Sequence, residues 1–337
     1  MIRILFDEQR YFLSKNVNDY FDVLINELSK NSEFQIIQTK SKNETLKHLT
    51  IGDFDIYHST GFIDNYFLND LMKDKKMVVT VFDMINEILL DKSVNQEPLK
   101  YQIRNKAEQI FVANNVIVPS ETTYKYLTAF YKRYNIEDKI RIISGGISDN
   151  KEKLERINNL GKFILYVDDR FPLIDYKQFE KFLQEVVPFL MEHEDLNLIL
   201  TSIKFSKDEV DNILKKYNIY DRVLVGEYNE QLFEQALCCV YSSIIEGFDI
   251  SVLLCIKHNC ICLLNDKNPF YHEIGKDKVA YYNIDKLDVA LNEVLNISKE
   301  DKKLIIDNQK TILDKFSLLK FINMHIQIYK QLTNENS

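Results

Sequence analysis

The sequence has no Trp, only eight Gly and five Pro, and five Cys in 337 residues. With so few Gly, phosphate loops are easy to test. Neither G-x-G-x-x-G nor G-x-x-x-x-G-K-[ST] occurs, which excludes the usual dinucleotide-dehydrogenase fingerprint and the P-loop. H-E-x-x-H and G-x-S-x-G are absent too, removing two common hydrolase chemistries. The Cys, all between Cys238 and Cys262, have neither metal-type spacing nor a plausible disulfide framework, and read as small buried hydrophobes. No apolar run approaches the ~20 residues that span a bilayer. The opening, MIRILFDEQRYF, lacks a signal peptide's long apolar stretch and cleavage site, so the cytoplasm is expected. Positive charge is not in excess: 43 Lys+Arg stand against 51 Asp+Glu, a net −8 that lies mostly in the second half. Nothing resembles a nucleic-acid footprint, and small basic groups such as Lys132-Arg133 read as solvated faces.

What is present suits two globular domains: 45% hydrophobic, 28% charged and 12% aromatic residues in a chain too long for one ordinary core. Short apolar runs at 2–6, 34–38, 55–58, 77–81, 116–119 and 140–143 alternate with helical patterns. The series restarts at 163–167, 196–200, 222–225, 239–242, 260–264 and 279–282. Strands that are apolar throughout and separated by helices indicate parallel sheets covered on both faces. Two such series predict an α/β protein of two Rossmann-like domains. The only Gly-Gly pair, Gly145-Gly146, marks the linker, giving domains of 1–146 and 147–316, with a C-terminal helix over 317–334 packing back on the first.

The most informative stretch runs from Val240 to Asn265. A buried strand ends near Ser242, a polar turn with Gly247 follows, and then come a helix over 250–257 and another strand. Asn259 stands where a helix end wants a left-handed residue. The turn thus lies at the carboxyl end of a parallel strand, where open α/β sheets bind ligands, and the helix start suits a phosphate.

These residues resemble the E-G-F-G-x-P-x-L-E segment of the family 4 glycosyltransferases, which have the GT-B fold. Other stretches match in order: Asp55-Ile-Tyr-His58-Ser59; Val78 to Asp83; Val116 to Thr123, followed by Lys139 to Ile147; Ile164 to Arg170; and Pro269 to Gly275. The resemblance covers about residues 1–330. It implies two Rossmann-like domains facing each other across a cleft, and transfer of a sugar from a nucleotide sugar to a glycan or glycolipid with retention and without a metal or other cofactor. It assigns catalysis to Glu246 and Arg170. Donor binding falls to Gly247, Phe248, Asp249, Ile250, Lys177, Glu227 and Tyr228, and the acceptor side to Asn16, His58 and Asp83. Departures accompany the matches. Leu254 replaces the family's second Glu, Phe82 a His, Ile174 a Lys, and Lys15-Asn16 and Asp168-Asp169 stand where Gly is usual. The alternative implied is a catalytically degenerate relative acting as a binding or accessory subunit. Expected partners are a nucleotide sugar and a glycan or glycolipid, with peripheral membrane contact at the inner face and a homo-oligomer left open.

Overall fold

The computed structural model describes residues 1–62, 71–72, 75–90, 96–147, 160–168, 176–202, 215, 219, 222–226 and 229–334. The chain divides into two compact units: Met1–Ser148 together with Phe316–Ser337, and Asp149–Lys315.

Unit 1 alternates strands and helices in the order β1 Ile2–Phe6, α1 Lys15–Ser29, β2 Phe34–Gln38, α2 Lys42–Ile51, β3 Ile56–Ser59, β4 Lys76–Thr80, α3 Ile85–Leu89, α4 Gln96–Val112, β5 Asn115–Val118, α5 Glu121–Phe130 and β6 Ile140–Ile142. Among the described residues the sheet has six strands, all parallel, ordered β2-β1-β3-β4-β5-β6. Successive strand residues point to opposite faces, so each apolar run feeds two cores. Ile4, Phe6, Ile56, Val78 and Ile117 pack with Val17, Tyr20, Phe21, Leu24 and Leu28 of α1. Leu5, Tyr57, Val79, Val116 and Val118 line the opposite core. Each of these large side chains contributes about 1.5–3 kcal/mol by leaving water.

The C-terminal helix, Leu318–Asn334, returns to the α1 face, where Phe321, Ile328, Tyr329 and Leu332 are buried. It approaches the strand-end segment very closely. A bridge pairs Ile147 with Ser317, and a Cβ on Gly146 would come within 2.9 Å of Leu318 Cα and Phe321 Cβ. Only a residue without a side chain fits there.

Unit 2 continues with β7 Lys162–Asp168, α6 Phe179–Glu192, β8 Leu196–Ser202, β9 Val223–Gly226, α7 Gln231–Gln235, β10 Cys238–Tyr241, α8 Ile250–Lys257, β11 Cys262–Asn265, α9 Pro269–Gly275, β12 Ala280–Tyr282, α10 Leu287–Leu295 and α11 Lys299–Lys310. Its described strands are again six and parallel, ordered β12-β11-β10-β7-β8-β9. The α/β class and both strand series expected from the sequence are therefore present. β3, β9 and β12 start one residue later than their apolar runs, and β11 two: it begins at Cys262, not at residue 260. Asn259 adopts φ +60°, and Cys260 N–H still donates to Cys255 O at 3.0 Å, so the end of α8 claims these residues first. All five Cys are buried and unpaired.

No helix among the described residues is long and apolar enough to cross a membrane.

Candidate functional site

The strand order of unit 2 fixes where a ligand can enter. From β7 the chain builds outward through β8 and β9, then crosses to the other side of β7 to place β10. Loops leaving β7 and β10 therefore diverge, and the crevice outside the carboxyl ends of these two strands is the switch point at which such sheets bind ligands.

Both loops are tied down there. Tyr166 of β7 places its hydroxyl 2.9 Å from Ser242 Oγ, and Ile244 N–H donates to Tyr176 O at 3.0 Å. Ser242 Oγ donates to Lys177 O. From β11 and the residues after it, Asn265 Nδ2 donates to Ser242 O at 2.7 Å and Asn268 Nδ2 to Ser243 O at 3.1 Å. Gln178 holds a left-handed φ of +53° directly after Lys177. A non-Gly residue in that region costs on the order of 1 kcal/mol and persists only where its surroundings dictate it.

At the centre of this clamp Lys177 Nζ stands 2.6 Å from Glu246 Oε1, both side chains about nine-tenths buried. The contact is an ion pair, not an aligned hydrogen bond, and among the described residues Oε1 lacks an aligned donor. Burial raises the Glu246 carboxyl to about 7, Lys177 opposes the rise, and Asp249 adds to it. A buried carboxylate oxygen in this state can accept a hydroxyl from a ligand at little desolvation cost, because its desolvation has already occurred.

Asp249 closes the turn. Its Oδ1 accepts from Ser251 N–H at 3.1 Å and from Ser251 Oγ at 2.6 Å, and Tyr271 hydroxyl donates to Oδ2 at 3.2 Å. The side chain is thus the N-cap of α8, and it takes an amide that a bound anion would otherwise use. Ile250 begins the helix; Gly247 and Phe248 complete the turn. Leu254, buried on α8, offers no polar atom.

The structure thus brings Glu246, Gly247, Phe248, Asp249, Ile250 and Lys177 together. Arg170, Ile174, Glu227 and Tyr228 lie outside the described residues. Asn16, His58 and Asp83 belong to unit 1. Asn16 is in the first turn of α1. Asp83 Oδ1 accepts from Ile85 N–H at 3.0 Å, starting α3, while Lys106 Nζ donates to Asp83 O and to the buried Glu87 Oε2, each at 3.0 Å. His58 is fully enclosed: Nδ1 is 2.7 Å from the Tyr329 hydroxyl and Nε2 is 2.8 Å from Thr80 Oγ1. Both ring nitrogens are used inside the protein, so His58 fastens the C-terminal helix to the sheet. Burial, with His325 nearby, holds it well below the usual imidazole range.

Sequence reading missed the clamp of Tyr166, Ser242, Asn265 and Asn268. The one signal available was a polar residue at the carboxyl end of each of two buried strands. It also missed the corresponding switch point of unit 1, between β1 and β3, where Asp7 caps the turn Glu8–Phe12. Asp7 accepts from Tyr57 hydroxyl at 2.5 Å and from Thr60 hydroxyl, and burial raises its carboxyl to about 6. Here the carboxylate is buried and already engaged by the protein's own hydroxyls.

No family model matches the sequence, and no curated protein resembles it in sequence. Solved structures do resemble it in fold. Anabaena Alr3699/HepE, determined with UDP-glucose, is 11% identical with a TM-score of 0.73, and covers 99% of this chain and 100% of its own. Sucrose-phosphate synthase (tll1590) from Thermosynechococcus elongatus is 12% identical with a TM-score of 0.71, over the same shares of the two chains. A variant of S. aureus TarM, determined with UDP, α-GlcNAc-glycerol and fondaparinux, is 14% identical with a TM-score of 0.65. That match covers 84% of this chain but only 58% of TarM. These neighbours share the α/β architecture of two Rossmann-like units.

Proposed function

We propose that this protein is a glycosyltransferase that receives a nucleotide sugar at the turn leaving β10 and passes the sugar to a glycan or glycolipid acceptor, with retention of configuration and without a metal. The observation that carries the reading is Glu246: a buried carboxylate at the unit 2 switch point whose Oε1 faces a cation and, among the described residues, lacks an aligned donor. A sugar hydroxyl supplies that donor. Lys177 beside it offers the positive charge that a leaving diphosphate needs, and the start of α8 adds its dipole. Arg170 is assigned the same charge-neutralising role by its place in the sequence after β7. The fold shared with Alr3699/HepE over both whole chains, and that protein's UDP-glucose complex, support the donor class. Asn16 and Asp83 are kept as acceptor-side residues; His58, enclosed with both ring nitrogens bonded to Tyr329 and Thr80, is not, and serves by holding the C-terminal helix.

A second reading, a non-catalytic relative, is favoured by one feature. Leu254 stands where a ribose-binding carboxylate is usual, and Asp249 already caps the helix that would greet the phosphates. Calorimetric titration with UDP, GDP and dTDP separates the two. Micromolar binding of one nucleotide is expected for the transferase; absence of heat with all three overturns it.

A further inference from the structure

Helix α4 buries three polar side chains. Asn105, Lys106 and Gln109 share one face of the helix, where an apolar stripe is the rule. Each reaches the chain where it leaves the carboxyl end of a strand. Gln109 Oε1 accepts from Ser59 Oγ at 2.5 Å, at the end of β3, and Asn105 Nδ2 donates to Phe62 O at 3.3 Å, just beyond it. Lys106 Nζ reaches past the end of β4, where it donates to Asp83 O and to Glu87 Oε2. The same segment is held from α5, whose Thr123 Oγ1 donates to Phe82 O at 3.0 Å. Two successive carbonyls between β4 and α3 are therefore fixed by side chains from two different helices. Asp83 itself is half-buried. Its Oδ1 caps α3 through Ile85 N–H, and Oδ2 has no donor among the described residues.

Stability alone does not explain a buried ammonium at this place. A buried ion pair offsets its lost hydration only where its remaining lone pairs are satisfied, and among the described residues Glu87 Oε1 has no donor. The two side chains are 5% and 0% exposed, so apolar ones of similar volume would pack there at little cost. What an apolar side chain cannot do is hold Asp83 O. We propose that Lys106 is a positioning residue for the acceptor: by fixing the Asp83 carbonyl it sets the turn that presents Asp83 Oδ2 to an acceptor hydroxyl. The proposal rests on the reading of Asp83 as an acceptor-side residue.

Lys106→Met alone would strand the Glu87 charge in the interior, so the test pairs it with Glu87→Leu, which removes both ends of the ion pair. In the full chain this double variant should keep the wild-type urea midpoint while its amides over residues 81–86 exchange faster. With a panel of nucleotide sugars, and alkyl glycosides of glucose, galactose and N-acetylglucosamine as acceptors, its acceptor KM should rise about tenfold and its donor KM change little. Lys106→Arg keeps donors for Asp83 O and Glu87, and should restore slow exchange and most of the acceptor affinity. Wild-type exchange over 81–86 in the double variant, or an unchanged acceptor KM, would overturn the proposal and leave the transferase reading standing. So would a lowered midpoint with exchange faster throughout unit 1, the mark of a purely structural role. Absence of transfer by wild type to every glycoside would overturn the transferase reading and the acceptor role with it, whatever the exchange shows.

Discussion

Glu246 and His325 are both buried ionisable groups, and burial moves them in opposite directions on the pH scale. Glu246 is raised to about 7, so the folded chain holds a proton that the unfolded chain releases, and its contribution to stability declines as pH rises from the ordinary carboxyl value toward 7. His325 is lowered to about 4 by burial, with Nδ1 2.9 Å from Phe321 O and Nε2 3.2 Å from the Tyr20 hydroxyl. Here the unfolded chain is the one that takes up the proton. Stability present above pH ~6.5 is therefore lost as pH falls toward 4. Denaturant unfolding of wild type should lose about 2 kcal/mol through His325 between pH ~6.5 and ~5, with His58 adding in the same direction. His325→Gln, which can still hydrogen-bond, should flatten that slope, and an unchanged slope would show that His325 titrates normally in the folded state.

At the scale of elements, the strands were legible because most are short and largely apolar, the pattern that a parallel sheet covered on both faces imposes on its central strands; the edge strand β2, FQIIQ, alternates more. The end of α8 was legible for a local reason: Asn259 tolerates the φ of +60° that a helix stop requires. The Lys177–Glu246 contact was not legible as a contact. It exists only because the loops after β7 and β10 meet at a switch point, and nothing local to either residue reports that. His58 illustrates the same limit. A His at a strand end reads alike whether it faces a ligand or a neighbouring helix, and the helix that encloses it comes from the far end of the chain. That helix presses close against Gly146. Gly146→Ala should cost about 1–3 kcal/mol in chemical unfolding, since the added methyl meets Leu318 backbone, which cannot rotate away. A wild-type midpoint would mean that the helix is not held against this segment.

At the scale of the whole molecule, two sheets of different strand order follow one another in a single chain, and they treat their switch points differently. Unit 1 joins Asp7, Tyr57 and Thr60 by hydrogen bonds at its switch point, whereas unit 2 clamps its loops and, among the described residues, leaves a carboxylate oxygen without an aligned donor. The contrast is why the proposed function puts the donor on unit 2. Removing the charge of Glu246 and one of its two acceptor oxygens, while keeping its shape, isolates that assignment. The deciding measurement is sugar release or transfer from a panel of nucleotide sugars by wild type and by Glu246→Gln at matched folded concentration. Turnover of at least one donor by wild type, and a loss of about 100-fold or more in the variant, are expected. Equal rates in the two proteins would contradict it.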